Sequence, residues 1–101
     1  GDVYKRQVHA RLEALAVAMT AAGLDAKMPD GGFYLWVDVD GWLDGATSVE
    51  WCTRLASEHG VGLWPGEDFG VPGFVRLALP QGDGWREAVR ELERRLAAFA
   101  G

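Results

Sequence analysis

Two short runs constrain this chain more than anything else in it: Phe33-Tyr-Leu-Trp-Val-Asp-Val39 and Phe74-Val-Arg-Leu-Ala-Leu79. Both are rich in aromatic, β-branched and other apolar residues, which favour extended backbone. The first is apolar on both faces, the pattern of a central strand rather than an edge. Strands of this kind must be covered, and three amphipathic stretches can cover them. Over residues 8–22, Val8, Leu12, Leu15, Met19 and Ala22 recur at helical spacing, and Gly23 stands where a left-handed cap would end the helix. Thr47-Ser-Val-Glu50 is a capping box that opens a second helix; Val49, Cys52, Leu55 and Ala56 give it an apolar face and Gly60 ends it. A third begins near Asp83, a candidate N-cap, and runs to about Phe99, with Trp85, Val89, Leu92, Leu96 and Phe99 on one side.

Between these lie shorter pieces. Residues 25–28 and 61–64 read as brief strands, Pro29-Asp-Gly-Gly32 as a turn, and residues 40–46 as a glycine- and aspartate-rich loop carrying Trp42 and Leu43. The predicted order is α-β-β-α-β-β-α, an α+β domain with helices packed on a small sheet. The first seven residues, Gly1-Asp-Val-Tyr-Lys-Arg-Gln7, add little to the helical periodicity and resemble a translated adaptor sequence. They read as a non-native or truncated leader, which leaves residues 8–101 as the domain.

Composition narrows the function. With 101 residues, 49% hydrophobic and 25% charged, the chain suits one globular domain with a core. A net charge of −5 provides no basic stripe for nucleic acid. Cys52 is the single cysteine, so no internal disulfide forms, which fits a reducing, cytoplasmic setting. No apolar run approaches the roughly 18 residues of a membrane span, and no signal peptide is evident. Five tryptophans and fourteen glycines suggest tight turns between aromatic strands, or a surface that packs against something else.

The usual catalytic patterns fail one by one. His9 and His59 lie far apart, Cys52 has no CxxC partner, and both histidines read as satisfied or solvated, so no metal site is expected. Asp38, Asp40 and Asp44 suggest a calcium loop, but Trp42 and Leu43 fall where a ligand and a turn glycine are needed. Gly60-Val-Gly62 has Pro65 in place of a third glycine and precedes a strand, not a helix, and no phosphate-binding loop occurs. There is no G-x-S-x-G, and Cys52 sits on an apolar helix face as a buried thiol. Lys5 and Lys27 are the only lysines, and neither has a pocket-like context. Arg76 remains. A guanidinium inside an apolar strand either points to the solvent face or is held for a planar anion.

The order of motifs adds a resemblance. Pro29-x-Gly-Gly-Phe-Tyr-Leu-Trp-Val, Leu55-Ala-x-Glu-x-Gly-Val61, Pro65-Gly-x-x-Phe-Gly70 and Val75-Arg-Leu-Ala78 together resemble the C-terminal small domain of class I/II, fold-type-I aminotransferases. Arg11-Leu-Glu13 and Ala18-Met-x-x-Ala-Gly23 are similar to that family's first helix, although Leu12 replaces its second arginine. The resemblance covers about residues 8–99. It implies a parent enzyme, homodimeric, that uses pyridoxal 5'-phosphate to move an amino group between an amino acid and a 2-oxo acid. It aligns Arg76 with the arginine that grips the substrate carboxylate, and puts Phe69 beside the substrate. It also implies that no catalytic or cofactor-binding residue lies in these 101 residues, because those belong to a large domain. Succinyl-diaminopimelate and aspartate aminotransferases are the candidate relatives, and decarboxylating and acyl-transferring enzymes share the scaffold. The competing reading is a free-standing, ferredoxin-like module that binds amino acids for regulation.

Overall fold

The structure is a computed structural model that describes residues 1–29 and 32–100. Three helices, α1 (Asp2–Ala21), α2 (Ser48–His59) and α3 (Trp85–Ala100), pack on a sheet of four strands, β1 (Asp25–Ala26), β2 (Tyr34–Asp38), β3 (Trp64–Pro65) and β4 (Phe74–Ala78). The strand order is β1-β2-β4-β3, and every pairing is antiparallel. The α+β class and the α-β-β-α-β-β-α order are as the sequence predicts, and β2 lies inside the sheet.

Register explains how one strand pair serves two purposes. Leu35 pairs with Leu77 and Val37 with Val75. All four are buried on the helical side, where they meet Leu12, Leu15 and Met19 of α1, Leu55 of α2 and Leu96 of α3 in one core. Their sequence neighbours Tyr34, Trp36 and Arg76 point the other way, because side chains alternate along a strand. Among the described residues no α-helix packs on that second face.

Several boundaries differ from those expected. α1 starts at Asp2, so residues 2–7 extend the helix instead of standing apart from it. Its end is as expected: Gly23 has φ +97°, and the Leu24 N–H reaches the Met19 carbonyl at 3.0 Å. β1 spans two residues where residues 25–28 are predicted, and Pro29, which offers no N–H to a ladder, follows three residues on. β3 falls at Trp64–Pro65 instead of 61–64 because Val61 turns inward to the core, its N–H closing the end of α2 on the Leu55 carbonyl. Pro65 is tolerated there because β3 is an edge strand. The 40–46 loop holds a short 3-10 turn (Asp40–Trp42), and the Trp42 ring lies beside Gly23. α3 begins after Gly84, whose carbonyl accepts the Ala88 N–H, rather than at Asp83. In the predicted turn at Pro29-Asp-Gly-Gly32, Asp30 and Gly31 lie outside the described residues.

Candidate functional site

Arg76 occupies the middle of β4, paired with Trp36 of β2 on one side and Trp64 of β3 on the other. Alternation puts it on the open face, half-buried, with Tyr34 two residues from Trp36 on the same side of the sheet. The guanidinium carbon lies 4.0 Å from the centre of the Tyr34 ring and 4.8 Å from that of Trp64. A third ring arrives from outside the sheet. After β3 the chain makes a 3-10 turn (Gly66–Phe69), and Phe69 comes to 4.0 Å from the same guanidinium carbon. Phe69 also meets Trp36 edge-on, with ring centres 5.7 Å apart at 90°. The structure thus brings together Arg76 and Phe69, the two residues singled out by the sequence.

The turn that delivers Phe69 has little freedom. A Cβ on Gly66 would sit 1.9 Å from the Val71 carbonyl oxygen, closer than any side chain allows. The Val71 N–H closes the turn on the Gly66 carbonyl at 2.8 Å, and Gly70 leaves it with φ +75°. Across from Arg76, the turn touches the start of α2. There the capping box is complete: Thr47 Oγ1 accepts the Glu50 N–H at 3.1 Å, and Glu50 Oε1 accepts the Thr47 N–H at 3.1 Å. Glu67 caps the same helix end from a distance, its Oε2 accepting the Val49 N–H at 3.1 Å and its Oε1 the buried Ser48 hydroxyl.

What Arg76 lacks is as telling as what surrounds it. Among the described residues no carboxylate lies within 4.0 Å of it, although five other ion pairs form along α1, α2 and α3. Its Nε is fully buried and has no hydrogen-bond partner. Buried donors are nearly always paired, and each one left over calls for an explanation. Three rings stabilise the positive charge through their π faces but accept no in-plane hydrogen bond. A cleft of about 520 Å³ runs along the β3–β4 edge of the sheet, bordered by Trp64 and Arg76 but floored by Leu15, Leu77, Val89 and Leu92 of the helical side. The arrangement suits a planar oxyanion.

The remaining chemistry-bearing residues stand apart. His9 lies exposed on α1 at 3.5 Å from Glu13, and His59 packs on Phe99 with ring centres 5.4 Å apart. Cys52 is buried against the core, and burial pushes its thiol up to about 11, with the Glu67 and Asp68 carboxylates adding to the shift. Among the described residues no group of His, Cys, Asp and Glu could hold a metal, and no helix is long and apolar enough to cross a membrane. The sequence reading missed Tyr34, Trp64 and Glu67. Alternation from Trp36 would have placed Tyr34 on the Arg76 face once the β2–β4 register was known, but Trp64 and Glu67 carry no local signal.

This is an α+β module with one sheet face given to the core and the other built around an unpaired arginine. The model of the aminotransferase class I and II family matches residues 1–96, and the chain belongs to that family. It is 34% identical over 85 residues to an LL-diaminopimelate aminotransferase of Nitratidesulfovibrio vulgaris, a match covering 78% of this chain and 21% of that protein. It is 35% identical over 101 residues to an arginine–pyruvate transaminase of Pseudomonas aeruginosa, covering 98% of this chain and 24% of the relative. Among solved structures, an aspartate aminotransferase double mutant of Thermus thermophilus superposes with a TM-score of 0.81 at 31% identity, over 96% of this chain and 24% of that one. The chain therefore spans about a fifth to a quarter of the length of these relatives.

Proposed function

We propose that this chain is the substrate-gripping part of a pyridoxal-phosphate-dependent aminotransferase, residues 8–101 forming its C-terminal small domain. Arg76 binds the carboxylate shared by the amino acid and the 2-oxo acid, and Phe69 borders the substrate. The observation that carries this reading is the guanidinium of Arg76, bracketed by Tyr34, Trp64 and Phe69 with its Nε unpartnered. A carboxylate laid against the guanidinium edge would take two parallel hydrogen bonds, which fixes the orientation of the substrate as well as its affinity. The family match over residues 1–96 supports the enzyme reading over a free-standing regulatory module. The parent enzyme is then a cytoplasmic homodimer.

These residues do not fit the cofactor itself. Lys5 lies exposed on the first turns of α1 and Lys27 exposed just beyond β1, and neither has the buried surroundings that hold a Schiff-base amine. The cofactor, which acts as the electron sink for the carbanion chemistry, is accordingly assigned to protein outside the described residues. Mixed with pyridoxal phosphate and reduced with borohydride, the chain is expected to show no stoichiometric lysine labelling by mass spectrometry. One fully labelled lysine overturns that assignment.

The substrate reading has a kinetic test. In the aminotransferase that carries this segment, Arg76→Lys is expected to lower kcat/KM by about 10- to 150-fold, the value of one hydrogen bond to a charged group. Arg76→Ala is expected to cost more. Wild-type kcat/KM in Arg76→Ala would remove Arg76 from the substrate site.

A further inference from the structure

Resting on the carboxylate reading of Arg76, we propose that Glu67 is a positioning residue for that arginine. By tying the Gly66–Phe69 turn to the first turn of α2, it holds the Phe69 ring over the guanidinium and sets the plane in which Arg76 presents its N–H groups.

Thr47 and Glu50 form a capping box at the start of α2, which serves the Glu50 and Thr47 N–H groups and leaves the Val49 N–H to another acceptor. Glu67 reaches that helix end from 18 residues further along, with one oxygen on the Val49 N–H at 3.1 Å and the other on the Ser48 hydroxyl. Ser48 is 1% exposed, so its hydroxyl needs a partner, and losing the carboxylate would strand a buried polar group. Phe69 belongs to the same 3-10 turn two residues on, and that turn leaves no room for a Cβ at Gly66. Phe69 itself is 43% exposed, so burial does not keep its ring in place. The turn and the edge of Trp36 hold it over Arg76; the Pro65–Val75 pairing ties the turn to the sheet, and Glu67 ties it to α2.

The Arg76 Nε–H resonance of the 101-residue chain, followed by ¹H–¹⁵N NMR, reports this arrangement, because a proton over an aromatic face is shielded. Phe69→Leu gives the size of the downfield shift when that ring is lost. Glu67→Ala is expected to move the resonance in the same direction, and the near-isosteric Glu67→Gln to move it less. Thr47→Ala weakens the same helix end without touching Glu67 and is expected to leave the resonance in place. In the aminotransferase that carries this segment, Glu67→Ala is expected to raise KM for the 2-oxo acid about two- to fivefold. The proposal is overturned if Phe69→Leu moves the resonance while neither Glu67 variant does. It is equally overturned if Thr47→Ala moves it as far as Glu67→Ala, since helix stability would then be the cause. Wild-type kcat/KM for Arg76→Ala in the aminotransferase that carries this segment defeats the carboxylate reading alone, and the ligand-free shifts still decide the tether.

Discussion

The Arg11 guanidinium of α1 donates a hydrogen bond to the Pro80 carbonyl at 2.8 Å and lies 5.3 Å from the centre of the Trp85 ring. One side chain thereby joins the first helix to the chain leaving β4 and to the first residue of α3. Arg11→Met keeps the aliphatic stem but loses both contacts, and is expected to lower stability by about 1–2 kcal/mol, less than the full value of a charged hydrogen bond because the site is only part-buried. Arg11→Lys should fall between the two. Urea unfolding followed by tryptophan fluorescence measures the difference, and an unchanged midpoint in Arg11→Met would mean that solvent replaces the contact without loss.

Arg76 should behave in the opposite way. Replacing it with Met removes its contacts with three rings but also removes a buried Nε that nothing satisfies. The two effects oppose each other, so the stability of Arg76→Met is expected to stay within about 1 kcal/mol of wild type. A change that small would accord with Arg76 serving a ligand rather than the fold. A loss well beyond that range would make Arg76 a structural residue.

Cys52 predicts a dependence on pH. Its thiol is raised from an ordinary 9.0 to about 11, first by burial and then by Glu67 and Asp68. A group whose folded pKa is raised contributes stability that is fully present below the unfolded value and is lost as pH rises through the folded one. The unfolding free energy is therefore expected to fall between about pH 9 and pH 11, and Cys52→Ala to flatten that fall. Iodoacetamide should label the thiol slowly in the folded chain and rapidly in urea. Equal rates in both conditions would contradict the burial.

Gly66→Ala tests the turn. Its Cβ would collide with the Val71 carbonyl, which is backbone and cannot swing aside. The expected cost is about 2–4 kcal/mol, with the turn displaced and the Phe69 ring withdrawn from Arg76. A crystal structure of the variant that keeps Phe69 over Arg76 would count against a rigid turn.

How much of this was legible follows from how far each signal travels along the chain. The helices could be read because their determinants are local: Leu12, Leu15 and Met19 at one spacing, the Thr47–Glu50 box, and glycines at positions 23 and 60. The lengths of β1 and β3 could not, since edge strands extend only as far as their neighbours let them. Arg76 could be recognised as an anomaly within its strand. The enclosure around it could not, because Trp64 and Phe69 reach it through pairings that only the folded chain creates. Glu67 on Ser48 bridges 19 residues with no periodic mark. In α1 the structure carries the helix back to Asp2, through residues whose own pattern was too weak to show it.

The one-sided cover of the sheet has a consequence for how such a protein can change. Along β2 and β4, residues that make the core alternate with residues that face outward, so neighbours in sequence answer to different demands. Leu35, Val37, Val75 and Leu77 must fit one another. Tyr34, Trp36 and Arg76 answer instead to one another and to Phe69. Substitutions in the two sets should be close to additive where side chains share no partners. The outward-facing set can therefore drift over generations along the same ten-residue ribbon while the scaffold is inherited unaltered.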